Sequence, residues 1–347
     1  MNSISKRLLA ICITCLLTLI MVACNSTSDQ INMEKEPTSA QVENKKDDKM
    51  ATKRVKHELG ETEIPLEPKR IVSINMEDIL VNLGTELVLA TPIQRQDYLN
   101  STLEKAGVEI AEYTGEINFE AVIEANPDLI IASTALATEV YEKLEKIAPT
   151  IAYNRTNWRD SIVQIGEALN KEEIANEIVA SQAKKVAEQK ASITALIGEA
   201  PTVAFLRMQE KDLRLFYPSI LSNSNPFAGY VSIAYAEEGL QWKADPYILE
   251  MQATDPDMQN ATVSLEVLPK LSANHLFVVT LSSDGSDEQL QKTLEELISM
   301  EDSAVWSSIP AVKSGNVHIL NMKNWLIDGP TAEIAKLDEL KRVLEKQ

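Results

Sequence analysis

The sequence predicts an α/β protein of two lobes, each with a central, mostly parallel sheet flanked by helices, and a single long helix bridging them. Short apolar runs alternate with helical segments along most of the chain, the pattern of parallel strands joined by crossover helices. One helix-to-strand joint occurs twice, as Glu124-Ala125-Asn126-Pro127-Asp128-Leu129-Ile130-Ile131 and as Ser272-Ala273-Asn274-His275-Leu276-Phe277-Val278-Val279. Between the two copies, residues 171–197 contain neither Pro nor Gly.

At the start, Lys6 and Arg7 precede an apolar run over residues 8–23. Its 16 residues are short for a membrane-spanning helix and suit the hydrophobic region of a signal peptide. The run stops at Cys24, and Ile20-Met21-Val22-Ala23-Cys24 resembles the lipobox of bacterial lipoproteins, with Met21 where Leu is usual. Residues 1–23 are therefore expected to be a lipoprotein signal peptide and Cys24 the lipidated mature N-terminus; an ordinary secretory signal is the alternative. Residues 24–56 are polar and charged without hydrophobic periodicity and read as a disordered tether. All three cysteines, Cys12, Cys15 and Cys24, lie at or before the processing site, so the body has no disulfide, thiolate nucleophile or Cys-ligated zinc.

The first lobe is expected over residues 57–157. Strands are predicted at 70–74, 87–90, 129–132 and 150–153. The helices between them are 77–83, closed by Gly84, then 119–125 and 138–147. Residues 158–198 form the bridge, where Ile174, Ile178, Val186, Ile193 and Ile197 fall on one helical face over about 40 Å. The second lobe, residues 199–347, repeats the logic: strands at 202–206, 213–216, 276–280 and 317–320, helices at 264–271 and 287–299, and a turn at Lys313-Ser314-Gly315-Asn316.

The formal net charge of −19 argues against nucleic acid and anionic membrane as partners. His57, His275 and His318 lack metal-ligand spacing, so no metal is expected. Asp284-Gly285-Ser286-Asp287 reads as a turn and helix cap instead of a calcium loop. No G-x-S-x-G, phosphate loop or dinucleotide fingerprint occurs.

Several segments in order resemble a known family. They are Pro68-Lys69-Arg70-Ile71-Val72-Ser73, Asp78-Ile79-Leu80-Val81-Asn82-Leu83-Gly84, Asn118-Phe119-Glu120-Ala121-Val122 with Asn126-Pro127-Asp128, and Tyr141-Glu142-Lys143-Leu144 through Pro149-Thr150. Ser264-Leu265-Glu266-Val267-Leu268 and Ala311-Val312-Lys313-Ser314-Gly315-Asn316-Val317 continue them. Together they resemble the substrate-binding lipoproteins of iron-siderophore ABC importers, whose relatives bind cobalamin and haem. The resemblance implies two α/β lobes, a ligand in the cleft between them, and no bond chemistry. The implied partners are a ferric siderophore, an ABC permease with its cytoplasmic ATPase, and the membrane through a lipid anchor on the extracytoplasmic face. A monomer is expected, with no cofactor beyond lipid on Cys24.

Parallel strands open their carboxyl ends onto a binding crevice. Arg207, placed just after the strand at 202–206, offers planar donors to the oxygens of a ferric complex; pairing with a carboxylate such as Glu210 is the alternative. Arg95 follows the strand at 87–90 and carries the same reasoning. Aromatic residues are 5% of the chain, and Trp158, Tyr217 and Trp325, each near a strand end, complete the candidate ligand-binding set. Trp242 and Trp306 are assigned to the core. The resemblance also implies one permease-docking carboxylate per lobe: Asp78 or its neighbour Glu77 in the first, Glu266 in the second. A hydroxamate or mixed hydroxamate-carboxylate siderophore is favoured, partly for lack of a dense basic cluster. A cobalamin or haem receptor of the same fold, or a lipid-anchored extracellular hydrolase, is the alternative.

Overall fold

Ile71–Ile74, Leu129–Ser133 and Thr150–Tyr153 are buried at every position, as strands covered on both faces must be. The computed structural model describes residues 51–92, 97–111, 113, 115–209, 212–218, 230–256, 258–281, 286–300, 303–325 and 327–346. The signal peptide, Cys24 and Arg95 lie outside the described residues.

The chain enters through a hairpin, β1 (Thr52–His57) and β2 (Gly60–Pro65). The first lobe follows with β3 (Ile71–Ile74), α1 (Glu77–Asn82), β4 (Leu87–Thr91), α2 (Asp97–Lys105), β5 (Glu109–Ile110) and α3 (Phe119–Glu124). It closes with β6 (Leu129–Ser133), α4 (Thr138–Glu145), β7 (Thr150–Tyr153) and α5 (Trp158–Ala168). Its sheet has the order β5-β4-β3-β6-β7 with every pairing parallel. The tether was expected to run to residue 56, but the ordered hairpin begins at Thr52. Thr62 Oγ1 donates to Thr150 O at 3.0 Å and Glu58 N–H to Ala152 O at 3.1 Å, tying the hairpin to β7.

The joint before β6 shows why the sequence folds locally as it does. Asn118 Oδ1 caps α3 by accepting Ala121 N–H at 3.1 Å. Asn126 turns the chain at φ +45°, and the Asp128 carboxylate accepts the Lys69 and Arg70 amides at 2.7 and 2.9 Å, fixing the start of β3.

The bridging helix is α6 (Glu172–Ile197), as predicted. Ala175, Ile178 and Val179 pack into the first lobe's core, whereas Val186, Ile193 and Ile197 pack into the second's. Gly166 of α5 is required by this packing: a Cβ there would stand 2.8 Å from Ala175 Cβ. The helix is thus a strut with one half sunk in each lobe, both lobes lying within one compact unit, Lys49–Gln347.

The second lobe contains β8 (Thr202–Gln209), β9 (Asp212–Phe216), α7 (Ser232–Tyr235), β10 (Lys243–Ala244), α8 (Pro246–Thr254), β11 (Asn260–Thr262) and β12 (His275–Thr280). After them come α9 (Asp287–Met300), α10 (Ser303–Ser308), α11 (Pro310–Lys313), β13 (Val317–Asn321), α12 (Met322–Trp325) and α13 (Pro330–Leu344). The sheet order is β11-β9-β8-β12-β13 with β10 beside the start of β8; β9 and β11 run antiparallel, and the other pairings are parallel. Residues 264–271, expected as a helix, make a 3₁₀ turn (Leu265–Lys270), because Pro269 has no N–H to continue an α ladder.

Strand β8 separates two cores by alternation. Val203 and Phe205 face the layer of α6 and α13, while Ala204, Leu206 and Met208 face the opposite core with Leu268 and Leu294. Helix α13 closes the fold. Its far half, Leu337, Leu340, Val343 and Leu344, belongs to the second lobe's core, while its first turn reaches the first lobe.

Candidate ligand site between the lobes

Arg207 lies within β8, not after it, since the strand runs on to Gln209. The alternation aligns it with Val203 and Phe205, and it stands level with Val279 near the carboxyl end of β12. Its cross-strand neighbour on β9 is Arg214, a like-charge pairing that is unfavourable alone. Asp212 resolves it by pairing with Arg207 and accepting Arg214 Nε–H at 2.6 Å. One carboxylate serves two guanidiniums. Burial and the charge of Arg214 both push the Arg207 pKa down, and Arg207 Nε is buried without a partner among the described residues.

The other lobe supplies a third guanidinium. Arg155, just after β7, is 2% exposed, yet its one hydrogen bond among the described residues is Nη1 to Asn75 O at 3.4 Å. Its Nε is also unpartnered. Tyr230 lines one space with Arg207; burial pushes its pKa up, and of the charges acting on it Arg155 of the first lobe and Arg207 and Arg214 of the second lower it while Asp328 raises it. Beside Arg155, Asn75 at the carboxyl end of β3 has a buried Oδ1 without a partner among the described residues. Among the described residues, polar atoms without partners occur at strand ends of both lobes, in Asn75 and Arg155 of the first and Arg207 of the second, as a site for a polar guest would have.

A cavity of about 250 Å³ lies between the lobes, walled by Thr156, Trp158 and Arg159 of the first and Tyr235, Glu237, Glu238, Asp328, Glu333 and Lys336 of the second. That is near the lower end of the roughly 300–1,000 Å³ of small-molecule sites. A smaller space lies under Arg207, between Phe216, Tyr230, Met322 and Trp325.

The predicted aromatic contacts divide. Trp158 begins α5, donates its indole N–H to Glu333 at 3.3 Å and forms part of the cavity wall. Trp325 is 1% exposed, not an open platform: its ring packs on Phe205 and its Nε1 donates to Glu339 at 2.9 Å, so it backs the space beneath Arg207. Tyr217 packs into the core on the far side of the sheet, with Leu268 and Ile248, and is removed from the candidate set. Trp242 and Trp306 are buried, as expected.

The first-lobe docking assignment is corrected. Glu77 and Asp78 are 2% and 3% exposed and cannot meet a permease. Glu77 Oε1 accepts from Ser73 Oγ at 3.0 Å, Asn75 N–H at 3.0 Å and Thr91 N–H at 3.1 Å, binding the ends of β3 and β4 together. Asp78 accepts Thr331 N–H at 3.1 Å and Ala332 N–H at 2.8 Å, capping α13 from the other lobe. Burial pushes both carboxyls upward in pKa, and these hydrogen bonds oppose it. Glu266 is exposed on the first turn of its 3₁₀ helix, as expected. In the first lobe Glu120 is also exposed and second in its helix, within Asn118-Phe119-Glu120, a triplet similar to Ser264-Leu265-Glu266.

The lobes are tied across the cavity wall. Glu333 of α13 takes a two-pronged pair from Arg159 at 2.8 and 2.9 Å and accepts from Gln182 of α6 at 3.2 Å; within the second lobe Lys336 pairs with Asp328 at 2.6 Å.

Arg155, Asn75, Arg214 and Glu120 were not singled out from the sequence. The rule that selected Arg207 applies to Asn75 and Arg155, which follow predicted strands, and the similarity of Asn118-Phe119-Glu120 to Ser264-Leu265-Glu266 was the signal for Glu120. Among the described residues no group of three or more His, Cys, Asp or Glu could hold a metal, and no helix is long and apolar enough to cross a membrane.

Comparison with known proteins agrees with this architecture. The probable siderophore-binding lipoprotein YfiY of Bacillus subtilis is 28% identical over 327 residues, 90% of this chain and 89% of the relative. The iron(3+)-hydroxamate-binding protein FhuD of Bacillus subtilis is 26% identical over the full length of both chains. The crystal structure of Staphylococcus aureus SirA complexed with staphyloferrin B superposes with a TM-score of 0.67 at 26% identity, covering 85% of this chain and 99% of that one. Residues 78–323 match the periplasmic binding protein family, and the chain belongs to that family as a binding protein, not an enzyme.

Proposed function

We propose that this protein captures a ferric siderophore between its lobes and delivers it to an ABC permease, held at the extracytoplasmic face by lipid on Cys24. The observation that carries the reading is the pair Arg207 and Arg214 sharing the Asp212 carboxylate, with Arg207 and Tyr230 lining one space and a buried Arg155 supplied by the other lobe. Ferric chelates present a compact set of metal-bound oxygens, and guanidinium is suited to such a target. The names of YfiY and FhuD and the ligand of SirA support the same class.

Arg207 and Arg214 on adjacent strands, with Arg155 from the other lobe, support a narrower ligand class. A net-negative ferric complex, with carboxylates alone or mixed with hydroxamates, fits the three guanidiniums better than a neutral trihydroxamate. Docking on the permease falls to the exposed carboxylates Glu120 and Glu266, one per lobe.

Trp158 walls the cavity and Trp325 backs Arg207, so fluorescence reports on occupancy. Protein beginning after Cys24 is titrated with ferric hydroxamate, catecholate and carboxylate complexes, with cobalamin and with haem. Quenching at submicromolar concentration by a ferric siderophore is expected; quenching by cobalamin or haem alone overturns the assignment.

A further inference from the structure

We infer that the cavity of about 250 Å³ between the lobes takes an aliphatic arm of the chelator ending in a primary ammonium group, with Glu237 and Glu238 as its counter-charges. This rests on the ferric-siderophore reading above and adds a second, oppositely charged end to the ligand.

Size limits the occupant first. At about 250 Å³ the cavity falls below the roughly 300–1,000 Å³ that enclose a whole small molecule, so it admits an arm and leaves the chelate outside. Between its charged residues the wall is largely apolar, with Trp158 from the first lobe and Pro218, Ile233, Tyr235 and Ala236 from the second. A hydrocarbon chain matches that lining.

Charge decides what stands at the end of the chain. Both cations of the wall are already paired: Arg159 is held by two hydrogen bonds to Glu333, and Lys336 by Asp328 at 2.6 Å. An anionic terminus would find no free cation there. Glu237 and Glu238 follow α7 in the same wall, both exposed, and neither has an ion pair among the described residues. The wall thus holds four carboxylates against two cations, and an ammonium supplies the missing counter-charge. Because these two carboxylates are exposed, the ammonium keeps part of its hydration and avoids the full cost of burying a charge.

The chain also ties this cavity to the Arg207 side. Phe216, Tyr230 and Val231 line the space under Arg207, while Pro218, Ser232 and Ile233, a residue or two further along the same segments, line the cavity. Guanidiniums stand at one space and excess carboxylate at the other. A ligand with an anionic chelate and a cationic arm is oriented by both.

The test is a cycle between protein and ligand, read by calorimetric titration. The chelate is the ferric complex of a citrate-centred dihydroxamate in which one hydroxamate acyl group carries a five-carbon arm, ending either in a primary ammonium or in the same amine N-acetylated. The ammonium form is expected to bind the unaltered protein about tenfold tighter. Glu237→Gln combined with Glu238→Gln, both at exposed positions, should bring the ammonium form down to the affinity of the acetylated form and leave the latter unchanged. Ala236→Trp, which fills the cavity without altering a charge, should remove the preference too. Arg207→Ala should weaken both forms alike and keep the preference. Equal binding of the two forms to the unaltered protein, or a preference that persists in the double Gln variant or in Ala236→Trp, overturns the inference while Arg207→Ala still weakens binding. If neither form binds the unaltered protein, the broader reading fails and this inference with it.

Discussion

The Asp78 carboxylate of the first lobe accepts the backbone N–H of Ala332, at the start of the last helix, at 2.8 Å. With Thr331 N–H on its other oxygen it caps a helix whose far half is in the other lobe's core. The cleft therefore has two cross-lobe braces, α6 and the first turn of α13, and the segment from Trp325 to Lys336 links the ligand side to the second brace.

Asp78→Ala removes an acceptor from two helix-terminal amides, that of Ala332 buried and that of Thr331 half-buried, and should cost about 2–4 kcal/mol in urea unfolding. Gly329→Ala should cost a similar amount without removing a hydrogen-bonding group, because its Cβ would stand 2.5 Å from Asp78 Oδ2. A neutral outcome for both substitutions would show that the cap does not brace the lobes.

Arg207→Ala should weaken ferric siderophore binding by roughly 10- to 100-fold, the range for loss of a charged hydrogen-bonding group. Arg207→Lys should recover part of this, since the charge stays but the planar fork is lost. Equilibrium fluorescence titration reads both; an unchanged affinity in Arg207→Ala would remove it from the site.

Glu120→Ala and Glu266→Ala should bind ligand as the unaltered protein does and fail to support iron uptake by cells. Both side chains are exposed on first turns, so folding should be unaffected, with stability changes within about 0.5 kcal/mol. Loss of ligand binding in either variant would contradict the docking role.

His275 Nδ1 and His318 Nε2 lie 3.0 Å apart on adjacent strands. Burial, then the neighbouring His275, pushes the His318 pKa down to about 4, so the folded state holds the imidazole neutral where the unfolded chain protonates near pH 6.5. Stability from this group is present above pH 6.5 and is lost as pH falls toward 4, by up to about 3 kcal/mol. The buried carboxyls of Glu77, Asp78 and Glu339, raised in pKa, act in the opposite sense. The pair's contribution is therefore read as a difference: between pH 7 and pH 4.5, His318→Gln should lose less stability than the unaltered protein. Equal losses would exclude the pair as an acid-sensitive element.

Apolar alternation made the strand-helix order and the bridging helix legible, because buried parallel strands and a Pro- and Gly-free run have few other readings. Exposure was less legible. Glu77 and Asp78 stand at the start of a six-residue helix, too short for periodicity to show which face is buried, and both are covered by contacts distant in sequence. Arg207 read as the end of a strand because a charge interrupts an apolar run. The ladder continues to Gln209 because Asp212 comes round on the next strand to neutralise that charge. The β1 strand was hidden by alternating charges, which suit a surface hairpin as well as a tether. Arg155 was passed over in favour of the tryptophan three positions on, and what distinguishes it, a buried Nε without a partner among the described residues, only the fold can show.

The account turns on where the ferric complex sits. A crystal structure of the protein with a bound carboxylate-containing ferric siderophore should place the iron-bound oxygens between the lobes, within hydrogen-bonding distance of the Arg207 and Arg155 guanidiniums and against Tyr230. A chelate bound away from that cleft, or in it with both guanidiniums turned aside, would contradict the assignment.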